Sequence, residues 1–383
     1  MTDSLKSISS SKVIYPSAIF GLEKLGSLPF ERFAYNALRR GIVALNSKGM
    51  GDRIVVEFKI QSSLSIDIYI KKEFDSQTLQ NEYIITTNVF TPPILLVVCK
   101  HFGNIFSDVE YLKQLIESKA EFKREVVDFG LKVIKSYDRN DSNGFANWIQ
   151  LILKEFDISI TNISDELELY DLCSKFIVNH EVAHAYMGQL NSKYKVNQVE
   201  QRSLEYLADI QAIDWFYNVW IVSTPDTVEY RKLREFKDHR ESIYNNVIFG
   251  LESLMLILVF FGISNAINGR GEISMQGGKT HPNSYMRHII HYTHFMTLVE
   301  SNYKDLLGDL ISDIITYYNL MINIILATGF VNKNDIDEIT SSSSYNDFVQ
   351  IPKVIKRYQI EELEKYLVLP DLIKSSFIDN IKK

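Results

Sequence analysis

The segment Phe176-Ile-Val-Asn-His-Glu-Val-Ala-His184 contains the pattern H-E-x-x-H in the middle of a long periodic stretch. The periodicity predicts a helix over residues 165–189. On a helix, positions i and i+4 lie on one face, so His180 and His184 can both present an imidazole to one metal ion. Glu181 lies between them around the helix, where its carboxylate can take a proton from a metal-activated water. The segment therefore predicts a metal-binding helix with its own general base.

A second motif supplies the third protein ligand that a tetrahedral catalytic zinc requires. It is Arg202-Ser-Leu-Glu-Tyr-Leu-Ala-Asp209, inside a helix predicted over residues 199–222. Glu205 is the predicted ligand. Asp209, one turn later, is predicted to support the site by accepting the free ring N–H of a ligand histidine. The alternative is that the two histidines are ordinary core residues and Glu205 a surface acid.

A third motif, Thr280-His-Pro-Asn-Ser-Tyr-Met-Arg287, precedes a helix predicted to begin at Pro282. His281 falls at the expected N-cap, where a neutral imidazole can stabilise the oxyanion of a tetrahedral intermediate. The alternative is that His281 only caps the helix. Arg287 is predicted to orient His281 or to hold the substrate backbone. Three further histidines at helical spacing offer a weaker, second metal site: His288, His291 and His294.

The fold class predicted from the sequence is α+β and mostly α. Alternating apolar residues predict strands over residues 53–60, 63–70 and 83–87, which would make a small N-terminal antiparallel sheet. From Pro93 onward the pattern is almost wholly helical. We therefore expect the small sheet to pack on a helical core that contains the H-E-x-x-H helix and the Glu-bearing second helix.

Composition shifts along the chain predict four segments. They are a flexible tail (1–14), an N-terminal helix with the small sheet (15–100), a metallopeptidase core (101–300) and a C-terminal helical extension (301–383).

The charge of the chain argues against one class of partner. The net charge is −7, so no broad cationic field is available for binding nucleic acid. Only two cysteines are present, Cys99 and Cys173, and they provide no disulfide framework, which fits a reducing compartment.

One apolar segment, Val247 to Ile263, raises the question of a membrane. It is short for a span, and Glu252 would lie within the hydrocarbon. The N-terminus has no apolar signal region. We expect a buried helix, no membrane contact and a cytoplasmic location.

The three motifs together resemble the gluzincin metallopeptidases, in which a glutamate is the third zinc ligand. HEVAH, EYLAD and THP followed by an arginine are similar to the motifs of the thermolysin-like and HtpX-like groups. Among bacterial families the chain most resembles the phage-exclusion peptidase Lit family. The resemblance covers residues 83–294 and implies one Zn²⁺ per chain. By the same analogy it implies an edge strand that binds the substrate backbone: Tyr83, Ile84, Ile85, Thr86 and Thr87.

The expected function is that of a zinc-dependent endopeptidase acting on a protein or peptide substrate, with Glu181 as base. The Lit-like resemblance implies a phage-defence protease that cleaves a host protein such as elongation factor Tu. The alternatives are a membrane-associated housekeeping metalloprotease and a regulatory protein that uses a zinc fold for binding without catalysis. The substrate, the activating signal, the oligomeric state and the role of the last 80 residues stay open.

Overall fold

The computed structural model describes most of the helical core and the sheet. The described residues are 12–15, 27–47, 53–59, 66–76, 80–107, 114, 128, 165–190, 198–223, 236–265, 282–327, 349–351 and 353. Seven long helices lie within these ranges: α1 (Ser27–Ser47), α2 (Thr91–Ser107), α3 (Asp165–Tyr186), α4 (Gln198–Tyr217), α5 (His239–Asn265), α6 (Ser284–Leu307) and α7 (Leu310–Ala327). The fold is α+β and mostly α, as the sequence predicted.

The sheet is mixed, whereas the sequence predicted an antiparallel one. Its four strands are β1 (Lys12–Ile14), β2 (Arg53–Lys59), β3 (Ile68–Asp75) and β4 (Gln80–Asn88), in the order β1-β2-β4-β3. β2 runs parallel to β1 and to β4, and only β3 and β4 are antiparallel. The predicted antiparallel arrangement was wrong because alternation identifies a strand's buried face but not its neighbour.

The order of the strands also corrects the predicted substrate-binding edge. Residues 83–87 belong to β4, which is paired on both sides, by β2 and by β3. Its backbone N–H and C=O groups are therefore occupied by the sheet itself. The edge beside β4 is β3. At the other edge, residues 12–14 form β1, although the sequence assigned them to a flexible tail. Residues 1–11 lie outside the described residues.

The chain forms two compact units whose segments alternate along the sequence. The first comprises Met1–Asn104, Val126–Tyr194 and Ile263–Glu272, and the second comprises Ile105–Glu125, Lys195–Gly262 and Ile273–Lys383. The four segments predicted from the sequence stay a prediction, although the boundary predicted at residue 300 falls inside α6.

In the first unit, α1 packs along α3, and α3 also lies against β3. Tyr170, completely buried, donates a hydrogen bond from its hydroxyl to the carbonyl of Pro29 (2.6 Å). Asn36 on α1 donates its amide N–H to the hydroxyl of Ser174 on α3 (2.7 Å). These bonds satisfy polar groups that burial would otherwise penalise. They hold α3, the helix with the H-E-x-x-H pattern, against α1.

In the second unit, α4 packs against α6 and continues into a π-helical segment, Asn218–Ser223. The indole of Trp220 donates to the carbonyl of Asn246 on α5 (3.1 Å), and the amide of Asn246 donates to the carbonyl of Trp220 (2.9 Å). This reciprocal pair satisfies backbone groups where the helical pattern widens. The π-helical segment is therefore held to α5 by hydrogen bonds between Trp220 and Asn246.

One described helix, α5, is long and apolar enough to cross a bilayer. Its most apolar 18-residue window has a mean hydropathy of 2.3, and 78% of that window is buried within the protein. Glu252, within this helix, is 4% exposed and accepts a hydrogen bond from the hydroxyl of Tyr317 on α7. Length and composition of this kind are shared by buried core helices, so α5 is weak support for a membrane span.

Candidate metal centre

The H-E-x-x-H residues lie in the last turns of α3 and are largely withdrawn from water. His180 is 6% exposed and Glu181 9%, while His184 is partly buried. The end of the helix is buried because apolar residues lie on most of its sides, among them Phe176 and Val182. Titratable side chains at such low exposure require partners or an ion.

The two histidines face each other with their Nε2 atoms 3.2 Å apart and their ring planes perpendicular. Two nitrogens at about 2.0–2.1 Å from one tetrahedral zinc would be about 3.3 Å apart. The observed separation therefore fits two imidazoles that share one ion. It confirms the prediction that the i, i+4 spacing brings both rings to one place.

The end of α3 is closed by a Schellman motif. Gly188 has a φ of 73°, in the left-handed region that favours glycine. The N–H of Gly188 bonds to the carbonyl of Ala185 (3.0 Å), and the N–H of Gln189 bonds to the carbonyl of His184 (3.0 Å). These are the two bonds that define the motif. The chain therefore turns back over the last helical turn directly after the second histidine.

This turn brings the Gln189 side chain to the outer nitrogen of His184. Gln189 Oε1 accepts a hydrogen bond from Nδ1 of His184 at 2.5 Å. A neutral imidazole that donates from Nδ1 keeps its lone pair on Nε2, the nitrogen that faces His180. Gln189 thus has the role of an outer partner that fixes the tautomer of a ligand histidine.

Glu205 on α4 completes the group. One ligand atom from each of His180, His184 and Glu205 lies within 4.8 Å of the others, and Glu205 is 8% exposed. Two imidazoles and one carboxylate are a common ligand set of catalytic zinc, and imidazole also suits other first-row metals. The residues therefore fit a divalent metal ion with three protein ligands.

Asp209 is completely buried one turn after Glu205, and it has partners on α6. Its carboxylate accepts two hydrogen bonds from Arg287 on α6, from Nε and from Nη2, both at 2.7 Å. Nε2 of His291 lies 3.3 Å from the same carboxylate. The ring nitrogen of His184 that faces away from His180 donates its hydrogen bond to Gln189, not to Asp209. The aspartate instead joins α4 to α6 beside the ligand Glu205.

The histidines of α6 act in the packing of the helix. His294 is hydrogen-bonded through Nε2 to Asp214 on α4 (2.8 Å), and His288 through Nε2 to the hydroxyl of Tyr318 on α7 (3.0 Å). Burial, with a smaller effect of His291, lowers the pKa of His288 to about 3, so this ring is neutral. Within the described residues, His180, His184 and Glu205 are the only set of three such side chains close enough together to hold one metal ion. The weaker prediction of a second metal site on α6 therefore finds no support there.

The start of α6 corrects the place expected for His281. The N-cap is Asn283, whose side-chain oxygen accepts hydrogen bonds from the backbone N–H groups of Tyr285 (2.9 Å) and Met286 (3.1 Å). Asparagine is a preferred N-cap residue, and it competes successfully with the histidine two positions earlier. His281 itself lies outside the described residues, so its predicted oxyanion role stays a prediction.

Comparison with known proteins adds no relative. No protein-family model, no curated protein and no solved structure matches the chain. The candidate site therefore rests on its own residues and their geometry.

Sequence reasoning missed Gln189 because its role depends on the turn that follows α3. The signal was present as Gly188, one residue earlier, since glycine after a periodic stretch marks a helix end. The pairing of Arg287 with Asp209 was also missed. Both residues had been selected, but nothing in the spacing within either helix indicates which residue of another helix will be its partner.

Proposed function

We propose that the protein is a zinc-dependent endopeptidase. The observation that supports this most is the convergence of His180, His184 and Glu205 to within 4.8 Å, with Glu181 directly beside the first histidine. A structural histidine pair would need neither the third ligand nor the adjacent acid. A buried carboxylate next to a metal group is the arrangement expected of a general base in peptide hydrolysis.

In this proposal His180, His184 and Glu205 hold the ion, and Gln189 keeps the lone pair of His184 directed at it. Zn²⁺, when bound, supplies a Lewis acid that polarises the scissile carbonyl and lowers the pKa of water to about 7. Glu181 accepts a proton from the attacking water and later delivers it to the leaving amine. Its low exposure excludes competing solvent from that transfer.

The strand best suited to a peptide substrate is β3, which replaces the predicted β4. β3 lies against α3 and forms one edge of the sheet, so its outer backbone groups can pair with an extended peptide. Two of its aromatic side chains are well exposed, Tyr69 at 40% and Phe74 at 62%. They offer apolar contacts to substrate side chains on either face of the strand.

The narrower biological proposal rests on the sequence resemblance alone. A cytoplasmic phage-defence protease of this type would cleave a host protein, such as elongation factor Tu, after an infection signal. We propose to test it by mapping new protein N-termini in induced cells with the wild type and with Glu181→Gln. New termini in the wild type only, within a host translation factor, would support it.

The metal proposal predicts a simple division among four variants. We expect about one zinc per chain in the wild type, and its loss in His180→Ala, His184→Ala and Glu205→Ala, because each removes a ligand atom. Glu181→Gln should keep the zinc and lose peptide cleavage, since it removes only the proton acceptor. Metal analysis by mass spectrometry and a casein cleavage assay check both parts.

Asp214→Asn is the matched control, because it alters a buried acid of α4 that binds His294 rather than the metal group. It should retain zinc. Full zinc in Glu205→Ala would contradict the ligand assignment. Zinc in every variant together with equal cleavage by wild type and Glu181→Gln would contradict the enzyme and favour the non-catalytic regulatory alternative.

A further inference from the structure

A second group of charged residues, unrelated to the metal centre, lies where α1 packs on α3. Three arginines of α1 are close enough to Lys175 of α3 to act on its charge, and the one acid that acts on it is Asp171. The four cations are Arg32, Arg39, Arg40 and Lys175. Residues 32, 36, 39 and 40 lie within about two helical turns along one side of α1, and residues 171, 174 and 175 lie within one turn of α3.

The single acid is already engaged. Arg32 forms an ion pair with Asp171 (2.5 Å), and the amide of Asn36 donates to the other carboxylate oxygen (3.4 Å). Arg39 is exposed, and its guanidinium donates to the hydroxyl of Tyr35 (3.4 Å). Within the part of the chain that the structure describes, Arg40 and Lys175 have neither an ion pair nor a side-chain hydrogen bond.

Both unpaired cations are partly withdrawn from water. Burial, followed by repulsion from Arg39, lowers the pKa of Arg40 to about 10. Burial also lowers the pKa of Lys175, Asp171 opposes this change, and the charges of Arg40, Arg39 and Arg32 lower it further. Half-buried like charges without an acceptor destabilise a fold. An arrangement that keeps them is expected to have a ligand.

We propose that Arg39, Arg40 and Lys175 form a binding site for a phosphate group. Guanidinium groups match the oxygens of phosphate in a bidentate way, and lysine adds a point charge. The cations are concentrated within two turns of one helix and one of another, which suits a compact ligand of high charge better than an extended acidic peptide. The protein as a whole is acidic, so this group is a local exception.

The site is separate from the proposed catalysis. Lys175 precedes His180 by five residues, which on a helix points the two side chains in clearly different directions. The free ion and the phosphate of a nucleotide present the same oxygens to this site, and the test below distinguishes them. The inference does not depend on the peptidase proposal, because no residue of the metal group takes part.

The test is calorimetric titration of the full chain with inorganic phosphate and, in a second arm, with ATP. We expect saturable binding that weakens roughly ten- to hundredfold in Arg40→Gln and in Lys175→Met, since each removes charge-assisted hydrogen bonds. Lys175→Arg should retain binding. Lys59→Met is the matched control, because Lys59 is a paired cation of the same unit, 3.2 Å from Glu57.

Thermal melting without ligand shows whether the variants fold. Arg40→Gln and Lys175→Met should melt no lower than the wild type, because each relieves repulsion. Binding of ATP alone would identify a nucleotide as the source, and equal binding of both ligands would indicate free phosphate.

The proposal is overturned if neither ligand binds saturably, or if Lys59→Met weakens binding as much as Lys175→Met. It is also overturned if phosphate binding is unchanged in both site variants, which would place the phosphate at the metal, or if an acidic peptide binds there and phosphate does not compete.

Discussion

Asp209 is the most deeply buried charge of the described site, with no exposed surface, and Arg287 binds both of its oxygens. An ion pair of this kind contributes little net stability compared with apolar residues, but breaking it is costly because one charge stays behind. Its position one turn from Glu205 gives it a second role. Through Arg287 it joins α4, the helix that carries Glu205, to α6.

Arg287→Ala is therefore predicted to lower the free energy of unfolding by about 3–5 kcal/mol, the usual cost of leaving a buried charge unpaired. Urea unfolding measures it. Lys71→Ala is the control, since Lys71 pairs with Glu73 on the surface and such pairs contribute about 0–1 kcal/mol. A loss in Arg287→Ala as small as in the control would mean that His291 or solvent compensates for Asp209.

At this scale local spacing predicted that the two histidines meet, whereas Glu205 was selected from its own motif and its approach to them depends on packing. His180 and His184 are one turn apart on one helix, and Glu205 shares the next helix with a second acid. Asp209 and Arg287 could be selected but not paired, because a partner on another helix depends on packing. His281 was placed at a cap that Asn283 occupies, since either residue suited the position before the helix.

Among the elements, β3 has the clearest consequence for substrate binding. The N–H of Asn88 bonds to the carbonyl of Asp67 (3.1 Å), which identifies that pair as a hydrogen-bonded one. With the register of Ile68 opposite Thr87, every second residue from 67 bonds to β4. Lys72 is one of the intervening residues, so its N–H points to the open edge.

We predict that Lys72→Pro raises the KM for peptide substrates roughly three- to tenfold, because one backbone hydrogen bond contributes about 0.5–1.5 kcal/mol. Zinc content should stay at the wild-type level. Lys72→Ala keeps the N–H and loses the same side chain, including its contact over the ring of Tyr83 (5.4 Å). Steady-state kinetics compares the two. Equal KM values for both variants would remove β3 as the substrate strand.

The elements also show where sequence reasoning reaches its limit. The helices α3 and α4 were predicted at nearly their observed positions because each is a run of 20 or more residues without glycine or proline, and most of each helix is buried. The strand predicted over residues 63–70 begins at Ile68 and extends to Asp75. The order of the strands could not be predicted from the sequence. β3 comes between β2 and β4 in the chain, yet in the sheet β4 lies between β2 and β3.

For the molecule as a whole, the burial of α5 bears on whether the proposed peptidase is cytoplasmic or is the alternative, a membrane-associated metalloprotease. Since 78% of the apolar window of α5 is buried within the protein, only a small part of that surface is left for contact with lipid. We predict that the protein stays in the supernatant when membranes are sedimented from lysed cells. Immunoblotting of both fractions, with a known integral membrane protein as control, measures this. Recovery in the pellet after a high-salt wash would favour the rival.

The turn after α3 has a consequence for how the protein tolerates mutation. Gly188 is neither a proposed ligand nor a proposed base, and it lies outside the H-E-x-x-H pattern, so a scan guided by catalytic residues would pass over it. Its φ of 73° nevertheless makes every residue with a Cβ costly there, with asparagine the mildest replacement. Since Gln189 follows directly, the cost would appear as weakened metal retention rather than as unfolding. In a saturation library selected for activity, position 188 should be nearly as depleted of variants as His184 itself.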